Sequence, residues 1–554
     1  MSSANFNEAL AGTFHKHWDV KCYTDLEGGT LTYGEVAQQI LKLHHIFAEA
    51  GLRKGARVGI IGRNCGNWCI SYLAAATFGA IAVPILPDFT SAEIEHIVRH
   101  SSCTFVFMAD TIHERIDESK MESLQGVFLL NDFSLGWSAN KELAPIVDNA
   151  EAGFRIQFQE AIAAQKLPVA AVDNADLMSI VYTSGTTGFS KGVMLNGASL
   201  ISNIAFFRGQ VDLEPGDQMV SFLPLAHVFG CTFDFLAPTV AGCHITYIEK
   251  IPTPKILLAA FQEYKPVVVL SVPLIIEKIY RNKIKAVLET TKVKMMLKVP
   301  GLNKLVHKKI YDEVYEVFGG NFKEMVVGGA AINKEIESFF REIGLRMTSG
   351  YGMTECGPLI SYSISSDNPP AGSVGRVVDR MEVRIADPDP RTGVGEIQTS
   401  GVNRMMGYYN DKEATEEAIG PDGWLRTGDL GYLDDDGFLF LTGRSKNMIL
   451  TSSGQNIYPE EIESQLNNLP CVEESLIIDN AGKLVALVYP NLESVDNACL
   501  KGRQVEDLME ENRKGLNKTL PRYCQIAKLK VLYEEFEKTP TKKIKRRFYN
   551  AFSG

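Results

Sequence analysis

Short apolar runs alternate with helical patterns over the first two thirds of the chain. ARVGIIG (56–62), IAVPI (81–85) and TFVFM (104–108) have the length of buried strands, while NWCISYLAAATFGA (67–80) and SAEIEHIVRH (91–100) carry helical spacing between them. The rhythm returns at LMSIVYT (177–183), MVSFLPL (219–225), HITYI (244–248), PVVVLSV (266–272) and KEMVVGG (323–329). Strands separated by helices predict crossover connections and mainly parallel sheets, with ligands at the carboxyl ends of the strands. After residue 370 the texture changes. MEVRIAD, GEIQTSG and GFLFLTG read as short strands with turns between them, among them DDDG at 434–437. From about residue 444 a small unit of its own is predicted. Its helices are IYPEEIESQL (457–466) and QVEDLMEENRKGLNKTL (504–520), and its strands are VEESLII (472–478) and KLVALVYP (483–490).

Length and charge narrow the classes. At 554 residues the chain is too long for one core. A hydrophobic share of 45% with 22% charged residues fits a globular protein, and a net charge of −11 gives no general attraction to nucleic acid or anionic lipid. Ten scattered cysteines form no disulfide framework, and Cys65 and Cys69 lack a second pair at metal-ligand spacing. MSSANFNEALAGTF has no signal pattern, and VVVLSVPLII (267–276) is too short to span a bilayer and contains Pro273. A reducing, cytoplasmic setting is expected.

The chemistry concentrates in a few stretches. VYTSGTTGFSKGVML (181–195) follows an apolar run with Thr183, Ser184, Thr186 and Thr187, bare backbone at Gly185, Gly188 and Gly192, and one fixed charge at Lys191. Such a donor-rich loop after a strand suits a polyphosphate. It is not a Walker loop, because Lys191 follows Ser190 and precedes Gly192. In TSGYGMTECGP (348–358), Glu355 suits a hard cation such as Mg²⁺, and Thr354 beside it is in reach of a phosphate. Tyr351, between Gly350 and Gly352, suits stacking on a purine or a place in the core. Asp429 in GWLRTGDLG (423–431) suits a ribose diol or a turn cap. His227 in FLPLAHVFG (222–230) is either a hydrogen-bonded core histidine or a substrate-site group. GRSKNMILTSSGQNIYPEEIE (443–463) and the basic FEKTPTKKIKRR (536–547) complete the set.

In order and spacing, YTSGTTGFSKGVM, YGMTE, GWLRTGD, GRSK and the closing lysine motif resemble the adenylate-forming superfamily of acyl-CoA synthetases, peptide-synthetase adenylation domains and luciferases. The resemblance spans nearly the whole chain. It implies an α/β fold with a large N-terminal region of two αβ subdomains plus a distorted β-barrel, and a small mobile C-terminal α+β domain. The domains would be residues 1–443 and 444–554, with the hinge near Lys446. It implies that a carboxylate attacks the α-phosphate of ATP, giving acyl-AMP and pyrophosphate, and that CoA then takes the acyl group. Two anions must meet, so cations are required where they do. By resemblance, Lys543 bridges carboxylate and α-phosphate, Thr183 to Lys191 cover the outer phosphates, Glu355 binds Mg²⁺ and Thr354 touches phosphate. Tyr351 stacks on adenine, with Gly329, Ala330 and Ala331 along the base. Asp429 takes the ribose hydroxyls, helped by Arg444. His227 lies beside the acyl group, and Gly454 lines the pantetheine tunnel. Two positions depart from the pattern. Asn196 and Gly197 follow Leu195 where the family often has a histidine, and Lys542 replaces a glycine before Lys543.

SVPLIIEKIYRNKI (271–284) and the lysine-rich apolar stretch to about residue 312 resemble long-chain acyl-CoA synthetases, with Leu274 in place of an arginine. A long- or medium-chain fatty acid is therefore the expected substrate, and the stretch is a candidate contact with a membrane surface. Alternatives within the family are a carrier-protein thiol as acceptor, another carboxylic acid, or a reaction that stops at acyl-AMP. Outside it stand an ordinary ATPase or kinase and a nucleotide-binding protein without catalysis.

Overall fold

The computed structural model describes residues 5–183, 190–250, 252–280, 302–329, 332–450, 456–539 and 543–549, with isolated positions between 284 and 299. The chain divides into two compact units. One comprises Met1–Glu382 with Thr399–Leu425, and the other Val383–Gln398 with Arg426–Gly554.

Two large sheets lie in the first unit. In one, the strands Arg57–Ile61, Ile81–Ile85, Cys103–Met108, Gly126–Leu129 and Leu177–Thr183 run parallel. Lys191–Asn196 then folds back antiparallel on Leu177–Thr183, and Gly407–Tyr408 pairs antiparallel beyond it. In the other sheet the order is Met347–Ser349, Glu324–Val327, Val268–Ser271, Gln218–Ser221, His244–Tyr247, Lys21–Asp25 and Thr30–Thr32, parallel except for the last pair. Helix Gly66–Phe78 touches strands of both sheets and is buried along almost its whole length. Its Trp68 stacks on Tyr72 at 5.8 Å and meets Phe235 edge-on at 6.1 Å, and Cys69 Sγ lies 3.0 Å from the Tyr247 hydroxyl. All ten cysteines are free. Helix Ser91–Ser101 starts where its sequence says, on a capping box in which Thr90 and Glu93 satisfy each other's backbone.

In the second unit, Asp429–Leu433 pairs antiparallel with Leu439–Arg444 through the Asp434–Gly437 turn. Further on, Val472–Asn480 and Lys483–Pro490 form a hairpin, and Ile526–Val531 adds in parallel. Helices Pro459–Leu466 and Arg503–Asn517 pack on this sheet through Ile462, Leu466, Val505, Met509 and Leu516. The mixed α/β architecture is the expected one. Among the described residues no sheet closes on itself, so the strands expected as a distorted barrel stand in open sheets. Among the described residues no helix is long and apolar enough to cross a membrane.

The strand expected at 219–225 ends at Ser221 for a physical reason. The buried Asp234 carboxylate accepts the backbone N–H groups of Phe222 (3.1 Å) and Leu223 (3.2 Å), and Asn64 Oδ1 accepts that of Leu225 (3.2 Å). Those donors therefore leave the ladder. Asp234 sits in a π-helical turn, Gly230–Leu236, a rare geometry that recurs beside functional sites. Burial pushes its carboxyl up to about 7, against the pull of its hydrogen bonds. The folded chain thus binds this proton more tightly than the unfolded chain. The contribution to stability is present below the ordinary aspartate range and is lost as pH rises through about 7. Asp234→Asn keeps an oxygen for the two N–H groups and removes the titration. The thermal midpoint of the wild type should fall relative to that of the variant between pH 4 and 7, and equal pH slopes in the two proteins would refute the assignment.

Candidate active site

Thr183 ends one strand and Lys191 opens the next, paired directly across the hairpin. Ser184, Gly185, Thr186, Thr187 and Gly188 lie outside the described residues, as do Ala330, Ala331 and Gly454. The Lys191 ammonium stands 4.9 Å from the ring centroid of Tyr408. The hydroxyl of that ring donates to Glu355 Oε1 at 2.8 Å. A cation and a carboxylate drawn from separate motifs thus meet on one phenol. Burial, then the Glu355 charge, holds the Tyr408 hydroxyl well above the usual tyrosine range, so it stays a donor.

Backbone pairing fixes the tyrosine. Tyr408 lies opposite Val193, and its own N–H donates to Thr415 Oγ1 at 2.9 Å. The next N–H, of Tyr409, donates to the Gly192 carbonyl at 2.7 Å. Glu355 belongs to a 3-10 turn, Thr354–Cys356, and its carbonyl accepts Met405 N–H at 2.7 Å. Thr354 beside it is buried. Helix Gly197–Gln210 braces that turn. Asn203 Nδ2 donates to the Cys356 carbonyl (3.5 Å), and Asn203 Oδ1 accepts Leu359 N–H (3.1 Å). The helix begins on Asn196, whose side chain accepts Ser199 N–H at 2.9 Å. A Cβ on Gly197 would stand 3.2 Å from Asn174 Cα, a tight approach.

Tyr351 is buried in the short strand Tyr351–Gly352, paired with Leu359–Tyr362. A Cβ on Gly352 would stand 2.1 Å from the Pro358 carbonyl oxygen, so the turn admits only glycine there. The Gly350 N–H donates to the Val327 carbonyl at 3.2 Å, placing Tyr351 just beyond the carboxyl end of the parallel sheet. Gly329 leaves the neighbouring strand with φ 85°. The half-buried His227 accepts Phe229 N–H on Nδ1 at 3.3 Å. The Phe229 ring packs where a Cβ on Gly328 would be, at 2.8 Å.

In the second unit, Asp429 and Arg444 are cross-strand neighbours, joined at 3.0 Å from Arg444 Nε to Asp429 Oδ1. Lys446 is exposed in the turn Ser445–Asn447. Lys543 is exposed at the end of a hairpin, where Thr539 N–H donates to its carbonyl at 2.8 Å.

Among the described residues no group of three or more His, Cys, Asp or Glu side chains gathers to hold a metal alone. Glu355, a single carboxylate oriented by a phenol, fits a hard cation whose remaining ligands are phosphate oxygens. Tyr408 escaped the sequence reading. Its segment, MMGYYN, carries no charge, and its importance lies in pairing with a strand far back along the chain.

The model of the AMP-binding enzyme family matches residues 11–409, most of the chain. The chain belongs to that family. Among relatives, a long-chain fatty acid–CoA ligase of Mycobacterium bovis is 29% identical, over 93% of this chain and 90% of its own. A 4-coumarate–CoA ligase of Narcissus pseudonarcissus is 27% identical, over 96% and 91%. The family fold is shared with ATP-bound MatB of Rhodopseudomonas palustris (TM-score 0.77, 21% identity, covering 99% of this chain and 98% of that one). It is shared also with the o-succinylbenzoate CoA synthetase of Bacillus subtilis in complex with its acyl-adenylate (TM-score 0.72, 21% identity, 97% of each chain).

Removing the Tyr408 hydroxyl leaves the ring beneath Lys191 and takes away the donor that orients Glu355. Tyr408→Phe should fold normally and bind ATP in the presence of Mg²⁺ about tenfold more weakly, by the usual effect of losing a partner of a metal-binding carboxylate. Calorimetric titration measures it, and unchanged affinity would show that the hydroxyl does not orient the carboxylate.

Proposed function

We propose that this protein activates a fatty acid of long or medium chain with ATP and passes the acyl group to CoA. The meeting of Lys191 and Glu355 on Tyr408 supports the ATP-dependent part of this reading, because an ammonium suited to phosphate stands with a carboxylate suited to a hard cation. The names of the relatives support acid–CoA ligation as the reaction class, and the one from Mycobacterium bovis supports the chain-length class. The segment 271–284 supports the same choice.

In the first half-reaction a carboxylate oxygen of the acid forms a bond to the α-phosphorus of ATP, and the bond to pyrophosphate breaks. Lys543 stabilises the charge where the two anions meet. Residues Thr183 to Lys191 hold the departing phosphates, with Thr354 in contact. Mg²⁺, held by Glu355, would neutralise charge on those phosphates. Tyr351 and residues Gly329, Ala330 and Ala331 take the adenine, Asp429 and Arg444 the ribose, and His227 borders the acyl group. In the second half-reaction the CoA sulfur forms a thioester, and AMP leaves with the electron pair of the broken C–O bond. The segment from residue 444 would rotate near Lys446 between the two, withdrawing Lys543 and presenting Gly454.

Pyrophosphate release from ATP and Mg²⁺ should depend on octanoate, palmitate or oleate, and turnover should require CoA. Acetate and benzoate should support little. Release with coumarate alone would move the acid to the aromatic class, and release of ADP or phosphate would overturn adenylation. Lys543→Ala should slow adenylate formation by ~10²–10³-fold while sparing thioester formation from supplied acyl-AMP. Equal loss of both half-reactions would remove Lys543 from its role.

A further inference from the structure

The second unit holds a chain of polar contacts for which the reaction above has no use. Lys543 lies in a hairpin closed by the Lys538–Ile544 bridge, by Lys543 N–H donating to Thr539 Oγ1 at 3.1 Å, and by Lys545 N–H donating to the Glu537 carbonyl at 2.8 Å. One side of its base is apolar. Phe536 is buried with Leu476, Ile478 and Leu487, and Tyr549 meets it edge-on at 5.2 Å. The other side is ionic. Arg546 reaches helix Pro459–Leu466, donating to Glu463 Oε2, with Glu460 Oε1 at 3.7 Å and the Ile477 carbonyl at 3.5 Å. Glu463 is buried, and its second oxygen accepts Ile477 N–H at 2.7 Å. The same Glu460 Oε1 accepts Asn447 Nδ2 at 2.6 Å, in the turn that contains Lys446. Room for Glu460 is kept by Gly443, whose Cβ would stand 2.9 Å from Glu460 Oε2.

We propose that Arg546 is a positioning residue: with Glu463 and Glu460 it locks the Lys543 hairpin to helix Pro459–Leu466, which Asn447 joins to the 445–447 turn, so that hinge, helix and lysine move as one rigid piece. The inference rests on the reaction proposed above and adds to it the means by which rotation at the hinge delivers Lys543 in a fixed orientation. The geometry supports this over a role in stability alone. The apolar side, Phe536 and Tyr549, and the Lys538–Glu474 ion pair at 2.8 Å hold the base of the hairpin to the sheet, but neither reaches helix Pro459–Leu466 to fix the segment 543–546 against it. A guanidinium with several acceptors at set angles does, and a lysine ammonium in its place would not.

Removing Arg546 alone would strand a carboxylate in the interior, which destabilises by itself. Burial already pushes Glu463 up to about 7 against the pull of the guanidinium. The test therefore removes both partners, Arg546→Met with Glu463→Gln, alongside Arg546→Lys. Three quantities are read: acid-dependent ATP–pyrophosphate exchange, thioester formation from supplied acyl-AMP, and amide hydrogen exchange of residues 537–549. In both variants the pyrophosphate exchange should fall at least tenfold and thioester formation less than twofold, with faster amide exchange at 543–546. Equal loss in the two half-reactions, or no loss in either, overturns the proposal. If the wild type shows no acid-dependent exchange, the assigned reaction has failed instead. Amide exchange then decides the lock independently, since unchanged protection at 543–546 overturns it and lost protection upholds it.

Discussion

One phenol organises the first unit. The face of Tyr408 carries the Lys191 ammonium and its hydroxyl holds the Glu355 carboxylate, so two charges of opposite sign are set in place by a neutral group between them. Neither contact is strong. A cation over an aromatic face contributes about 0.5–2 kcal/mol, and a hydrogen bond to a charged acceptor about 1.5–3 kcal/mol. That weakness suits a site proposed to receive a polyphosphate and its cation. Ligand oxygens can draw the lysine off the ring at little cost, while backbone pairing with Val193 and Gly192 keeps the ring where it is.

The second unit uses the opposite material. Its polar contacts pair guanidinium with carboxylate, Arg444 with Asp429 and Arg546 with Glu463, and the second of these is half sunk in the interior. Arg546 Nη2 donates to Glu463 while its Nη1 faces the Ile477 carbonyl, so more than one acceptor sets the direction of that guanidinium. Soft contacts stand where ligand charge must be accepted. Arginine–carboxylate pairs stand in the unit proposed to carry Lys543.

This contrast also explains what the sequence revealed. LMSIVYT matches the strand Leu177–Thr183 residue for residue, because a buried β-branched run bounded by turn residues is a local signal. Lys191, Glu355 and Asp429 stood out because charged groups among glycines are locally conspicuous. The end of the strand at Ser221 did not, since the Asp234 carboxylate that draws Phe222 and Leu223 out of the ladder comes from the following turn. Tyr408 and Arg546 were hidden for the same reason. Each looks ordinary in its own segment and gains its meaning from a partner elsewhere in the fold.

The proposed acyl side of the site is tied to the nucleotide side by packing rather than by charge. His227 is held in a turn folded by Asp234 and Asn64, and a Cβ on Gly230 would strike the Pro224 carbonyl at 2.4 Å, so the turn has one way to close. From that turn Phe229 fills the space left by the missing side chain of Gly328, next to Gly329, the residue assigned to the purine. An apolar contact of this kind has no preferred polarity and no titration, so it can hold the two ends in register at any protonation state of the substrates. In the proposed reaction, discrimination among acids falls to apolar packing, where one methylene is worth about 1–3 kcal/mol. In the proposed reaction, activation rests on the charges placed by Tyr408, and the choice of acid on the packing around His227.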